Sequence, residues 1–188
     1  FLNPPLARLH SALRHPRTPH FPTSFVIETT SRCNRSCRMC PRRDMRRAAQ
    51  DMSPELFGRL VDQMAQHGQD LRFLALHWFG EPLLHPQLWD FIEQAGTRLP
   101  GLLERGREHH AMRGLTLSTN ATLLDAIAAE QALASKLTWL GLSVDGACAE
   151  TYDSLRCGGR FEQVMTNVRH LLELNLRRGA RHRGHDLP

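Results

Sequence analysis

The feature that most narrows the fold is an alternation repeated four times: a short apolar run, a polar loop, then an amphipathic helical stretch. The strand-like runs cover 24–29, 71–79, 115–119 and 137–144. Helical periodicity follows each of them, from Ser53 and Pro54 to Gly68, over about 86–98, over about 123–135 and over 161–176. Ser53 is a good N-cap, Pro54 suits the first helical position, and Gly68 is placed to end that helix. Leu56, Leu60, Val61 and Met64 fall on one face of the first helix. Phe161, Val164, Met165, Val168, Leu171 and Leu172 fall on one side of the last. Strands separated by helices join through right-handed crossovers into a parallel sheet, whose ligand loops gather at the carboxyl ends of the strands. The stretch 99–113 is longer and more charged than a minimal connection and is expected to be a surface insertion.

A chain of 188 residues, 41% of them apolar and 23% charged, is long enough for one globular core. The expected organisation is a leading arm at 1–22, broken by Pro, His and Arg, a core at 23–176 and a basic disordered tail at 177–188. No run approaches the ~20 consecutive apolar residues of a membrane span, and the opening stretch is not built as a signal peptide, so a cytoplasmic protein with no membrane partner is expected. Arg32, Arg35, Arg38, Arg42, Arg43, Arg46 and Arg47 crowd one short segment, either as a solvated face or as a site for an anion or acidic partner. Nucleic acid is not expected, because aromatic residues make up only 6% of the chain and no nucleic-acid-binding signature is present.

Five cysteines, three of them in the run Cys33, Cys37, Cys40, suit neither a paired disulfide framework nor a secreted context. This C-x3-C-x2-C run directly follows the first strand. Three thiolates on one loop can wrap a multi-iron centre and leave one iron without a protein ligand. The alternative is a zinc-stabilised binding module completed by Cys148, Cys157 or a histidine. Otherwise Cys148 and Cys157 are expected to be free thiols, and His10, His15, His20, His67, His109, His110, His170, His182 and His185 surface residues.

Polar motifs close or follow the other three strands. Gly80, Glu81 and Pro82 sit in HWFGEPLLHP; the glycine permits close backbone approach, and the carboxylate can accept from an ammonium group. Ser118, Thr119 and Asn120 end the third strand, where Asn120 or Thr122 also suits a helix cap. Ser143, Asp145 and Gly146 end the fourth, and Arg156 follows in TYDSLR before Gly158, Gly159, Arg160 and Phe161.

Taken in order, these motifs resemble the radical SAM superfamily (SAM is S-adenosylmethionine) over about 24–176, and the Pro41 and Arg42 pair resembles its SPASM-type group. The resemblance implies an α/β fold, an incomplete (β/α) partial barrel with about four parallel βα units. It implies a [4Fe-4S] cluster on Cys33, Cys37 and Cys40 whose open iron binds the amino and carboxylate groups of SAM. Met39 matches the position whose backbone meets the adenine. Gly80, Glu81 and Pro82 resemble an amino-group-binding GGE element with Phe79 in place of the first glycine. Ser118, Thr119 and Asn120 resemble a TNG-like element with Ala121 in place of its glycine, and Ser143 and Asp145 an SLDG element that touches SAM. Arg156 is implied as a contact to the SAM carboxylate or the substrate. The implied activity is reductive cleavage of SAM to methionine and a 5′-deoxyadenosyl radical, which abstracts hydrogen from an unidentified peptide or small molecule, in peptide modification or cofactor maturation. A flavodoxin or ferredoxin would supply the electron. The family core has about six βα units, so a chain with four that begins with Phe is expected to be a fragment.

Overall fold

The computed structural model describes residues 21–106, 113–158 and 160–182. Four strands, β1 (Ser24–Val26), β2 (Phe73–Ala75), β3 (Gly114–Thr119) and β4 (Trp139–Leu142), form one parallel sheet in the order β1-β2-β3-β4. Six helices accompany them among the described residues: α1 (Pro54–Ala65), α2 (Leu88–Arg98), α3 (Pro100–Gly106), α4 (Ala126–Ala134), α5 (Ala149–Leu155) and α6 (Phe161–His182). This is the α/β arrangement that the alternation predicts. The leading arm to residue 20 and its histidines lie outside the described residues.

The strands are shorter than the apolar runs, for a local reason. Beyond Ala75, Leu76 N–H still donates to the Thr116 carbonyl at 3.0 Å, but the next amide across, Ser118 N–H, donates to the imidazole of His77 at 3.1 Å. A side chain thus takes over where the ladder stops, and the chain turns toward the sheet's carboxyl edge.

One core lies between the sheet and α1 and α2, where Phe57, Val61 and Met64 meet Leu88, Phe91 and Ile92 over Leu74, Leu76, Leu115 and Leu117. Phe57 and Phe91 stack with ring centroids 4.1 Å apart. A second core gathers Ala121, Leu124, Ala129, Tyr152, Val164 and Leu171 beneath α4, α5 and α6.

Several sequence expectations need correction. Phe57, not Leu56, belongs to the buried face of α1, and Leu56 is 39% exposed. In α6, Leu172 is 52% exposed while Leu171 one position earlier is buried, because the packed stripe drifts around so long a helix. That helix also runs to His182, through the start of the expected disordered tail. The stretch after 98 is not simply a surface insertion: α3 buries Leu102 and Gly106 against β3, and only 107–112 lie outside the described residues. His67 is not a free surface residue but stacks on Phe21 at 4.0 Å.

Because the paired rings of Phe57 and Phe91 are both buried and fill the centre of the larger core, Phe91→Ala should destabilise the chain by about 3–5 kcal/mol. Equilibrium unfolding in urea measures this; a change of only a few tenths would show that the core collapses around the gap.

Candidate functional site

Loops from the carboxyl ends of all four strands line a single cleft of about 310 Å³. The first loop is anchored before it reaches the cysteines. Met52 N–H donates to the Thr29 carbonyl at 2.8 Å, Ser31 N–H to the Gln50 carbonyl at 2.9 Å, and Arg32 grips both oxygens of Asp51 at 2.9 and 2.5 Å. Between these anchors, Arg42 reaches back to the Cys33 carbonyl at 3.1 Å and stiffens the loop from within. Cys37 is buried, Cys33 and Cys40 half-buried, and all three line the cleft with Met39. Burial pushes the Cys33 thiol up, against a hydrogen bond from the Arg35 backbone. Such a thiol gives up its proton most readily to a bound metal.

The donor chemistry decides what this loop can hold. Among the described residues no three Cys, His, Asp or Glu side chains converge as ligands of one metal ion, and Cys148 and Cys157 are exposed and outside the cleft. Three thiols on one loop with no fourth cysteine beside them fit an iron-sulfur cluster with an open iron.

The second loop leans on the first. A Cβ on Gly80 would stand 1.8 Å from the Thr30 carbonyl oxygen, so only glycine allows the approach. Glu81 is 2% exposed; its carboxylate accepts from Thr119 O–H at 2.7 Å, Leu83 N–H at 3.1 Å and Asn120 N–H at 2.8 Å. Burial pushes the Glu81 carboxyl above its ordinary range, and these hydrogen bonds and the Arg156 charge offset that only in part. Pro82 starts the 3-10 turn Pro82–Leu84 and is buried; unlike Gly80 and Glu81 it does not line the cleft.

The third and fourth loops complete the wall. Asn120 donates to Asn34 at 2.9 Å, stands 4.0 Å from the Cys33 sulfur, and accepts from Thr122 at 2.6 and 3.0 Å. Neither Asn120 nor Thr122 caps the helix that follows; Asp125 does, accepting from Ala128 N–H at 2.9 Å. Ala121 has φ of 61°, a left-handed conformation in which glycine is free of strain. Ser118 and Ser143 pair their hydroxyls at 3.3 Å, and Arg156, its side chain 13% exposed, is bound to Asp145.

Sequence reasoning gave no site role to His77, Trp78, Phe79 or Asn34. The first three line the cleft, and their position at the end of the second apolar run was the available signal. His77 accepts a backbone N–H on Nδ1, and burial holds it below its ordinary range, so the neutral ring carries its proton on Nε2. His85 is buried and structural, bonded to Met52 and Gln87.

The sequence and the fold match known proteins. The family model of the radical SAM superfamily matches residues 27–184, and the chain belongs to that superfamily. Members are enzymes that use a [4Fe-4S] cluster and SAM. An AdoMet-dependent heme synthase of Methanosarcina barkeri is 28% identical over 149 residues, 78% of this chain and 38% of the relative. A mycofactocin maturase of Mycobacterium ulcerans is 25% identical over 150 residues, 80% of this chain and 36% of the relative. The chain therefore spans well under half of these relatives. Among solved structures, Streptococcus suis SuiB bound to S-adenosylmethionine matches with a TM-score of 0.59 at 18% identity, over 93% of this chain and 38% of that one. BtrN in complex with AdoMet and 2-DOIA matches at 0.57 and 22% identity, over 75% and 55%.

Replacing Glu81 by Gln turns an amide N–H toward one of three donors and should destabilise the fold by about 1–3 kcal/mol. The native pKa lies above the ordinary 4.5, so in the wild type ionising Glu81 lowers stability as pH rises from that value through the native one. The carboxamide does not titrate. The gap between wild type and Glu81→Gln should therefore narrow with rising pH across that interval in urea titrations, and a gap that widens would show that the hydrogen bonds outweigh burial.

Proposed function

We propose that this chain is the cluster- and SAM-binding part of a radical SAM enzyme, with Cys33, Cys37 and Cys40 as the ligands of three irons. The observation that carries this is that three thiols, and no fourth cysteine, line a cleft walled by Gly80, Glu81, Asn120, Ser143 and Arg156. When bound and reduced, the cluster supplies the electron that cleaves SAM to methionine and a 5′-deoxyadenosyl radical, which takes hydrogen from a substrate.

The protein's share is placement. The thiolates would leave one iron open toward the cleft, and the backbone at Met39 offers an edge for the adenine. Glu81 keeps one free acceptor position on Oε2 beside the loop, suited to an ammonium group, while Thr119 and Asn120 hold that carboxylate in place. Ser118, Ser143 and Asp145 supply polar contacts on the far wall. Arg156, already paired with Asp145, presents its remaining N–H groups to a carboxylate. The half-exposed Met39 and Trp78 give the mouth an apolar rim.

For the substrate, we infer a peptide or a cofactor precursor. The support is the company of relatives: a mycofactocin maturase, a heme synthase, and a Pyrococcus furiosus protein that modifies the cofactor of a tungsten-containing aldehyde ferredoxin oxidoreductase. Among the described residues no helix is long and apolar enough to cross a membrane.

Anaerobic iron and sulfide reconstitution tests the ligand set. The wild type should bind about four irons and turn brown, and its reduced spectrum should change on adding SAM. Cys37→Ala should lose the chromophore; an undiminished chromophore would overturn the assignment.

Electron delivery generates a second prediction. Of the crowded arginines, Arg32 and Arg47 are paired to Asp51 and Glu28, and Arg42 is bonded to the loop backbone. Arg38, Arg43 and Arg46 form no ion pair among the described residues and are the arginines available to an acidic flavodoxin or ferredoxin. Changing those three to Gln should slow reduction by flavodoxin several-fold and leave reduction by dithionite nearly unchanged in stopped-flow traces. Equal slowing with both reductants would assign these arginines to the loop's structure instead.

A further inference from the structure

Three buried side-chain polar atoms lack a hydrogen-bond partner among the described residues: Arg35 Nε, Thr116 Oγ1 and the Tyr152 hydroxyl. A buried donor without a partner is costly, of the order of 1–3 kcal/mol, so each such atom calls for an explanation. Thr116 lies within β3. The other two belong to one place.

Arg35 lies on the cysteine loop between Cys33 and Cys37, and with those cysteines, Cys40 and Arg42 it lines a hollow of about 200 Å³ behind the cleft. Tyr152 lies on α5, which is tied to the same loop where Arg38 N–H, next to Cys37, donates to the Leu155 carbonyl at 2.9 Å. The tyrosine is fully buried, its ring tilted against Phe161 at 5.6 Å, and the ionisable groups around its hydroxyl include Arg35 and Cys37. Phenylalanine would fill the same apolar space without leaving a hydroxyl unpaired. A phenol keeps its proton at neutral pH, so the Tyr152 hydroxyl is a donor. Two unpaired donors therefore stand in the region of the most buried of the three thiols, and neither is bonded to its sulfur.

We propose that Tyr152 and Arg35 are tuning residues of the iron-sulfur site: the Tyr152 O–H and the Arg35 Nε–H donate hydrogen bonds to sulfur at Cys37, either its thiolate or an adjoining sulfide of the cluster. Both acceptors carry negative charge that grows on one-electron reduction. Donors aimed at them stabilise the reduced form and raise the reduction potential. The inference rests on the proposed ligation by Cys33, Cys37 and Cys40. It adds the residues that set how readily that site takes up its electron, and it explains why two donors are left unpaired by the protein alone.

The test is a redox titration of the reconstituted chain followed by electron paramagnetic resonance, for wild type, Tyr152→Phe and Arg35→Lys. The lysine retains the charge and loses the Nε–H donor. All three should load the same iron and sulfide, and each variant should be harder to reduce by roughly three- to tenfold in the one-electron equilibrium, tenfold being about 59 mV. Before loading, Tyr152→Phe should withstand urea at least as well as wild type, since the hydroxyl it loses has no partner. Normal loading with an unchanged potential in both variants overturns the inference, as does a clear loss of stability of unloaded Tyr152→Phe, which would show that the hydroxyl already has a water partner. Failure of the wild type to load iron would instead overturn the ligand assignment.

Discussion

The buried carboxylate of Glu81 is the joint on which the cleft depends. It sits in the loop after β2 and gathers donors from its own turn and from the end of β3, 38 and 39 positions further along the chain. Its own backbone N–H donates to Arg32 at 2.8 Å, so the same residue braces the cysteine loop. One residue, through its carboxylate and its backbone N–H, thereby holds three of the four strand ends in fixed relation. The arrangement works because the carboxylate is almost wholly removed from water, where each hydrogen bond to a charge is stronger and each missing one costs more. Around it, Gly80 lets two backbones touch, and the Asn34, Asn120 and Thr122 network closes the space between the cysteine loop and β3.

The sheet explains why these loops meet at all. Parallel strands place every carboxyl end on the same edge, and crossover helices bury the two faces, leaving that edge as the place where irregular, polar backbone can gather. The two hydrophobic cores serve the site unequally. The larger one, under α1 and α2, holds the sheet itself; the smaller one, under α4, α5 and α6, includes Tyr152 and seats α5, which is tied to the cysteine loop through Arg38 and Leu155. A site built on strand ends with short braced loops holds its side chains in rigid placement.

Much of this was legible in the residues. The period of the apolar runs identified four strands and their crossovers, and the spacing of Cys33, Cys37 and Cys40 pointed to a cluster, because both are local patterns carried by neighbours in the chain. The limits of legibility were also local. Leu56 and Leu172 satisfy helical spacing yet face solvent, since periodicity defines a stripe and not which edge of it meets the core. The helix in the 99–113 stretch was obscured by its charged residues, although Leu99 and Leu102 were already there to anchor it.

What the sequence by itself determined is the class of chemistry and the architecture: a thiolate loop after the first strand, polar strand ends, and an alternation that allows only a parallel sheet. What the tertiary structure alone decided is how each polar group is used. Arg42 and Arg47 are spent on internal contacts while Arg38, Arg43 and Arg46 are not; Glu81 organises loops as well as facing the cleft; His77 ends a ladder and lines the cleft; the Tyr152 hydroxyl and Arg35 Nε stand unpaired. The physical reason is that hydrogen-bond satisfaction is a property of the assembled interior. Partners such as Glu81 and Thr119, or Asn34 and Thr122, lie dozens of residues apart, and no pattern along the chain shows which donors will find an acceptor once water has been excluded.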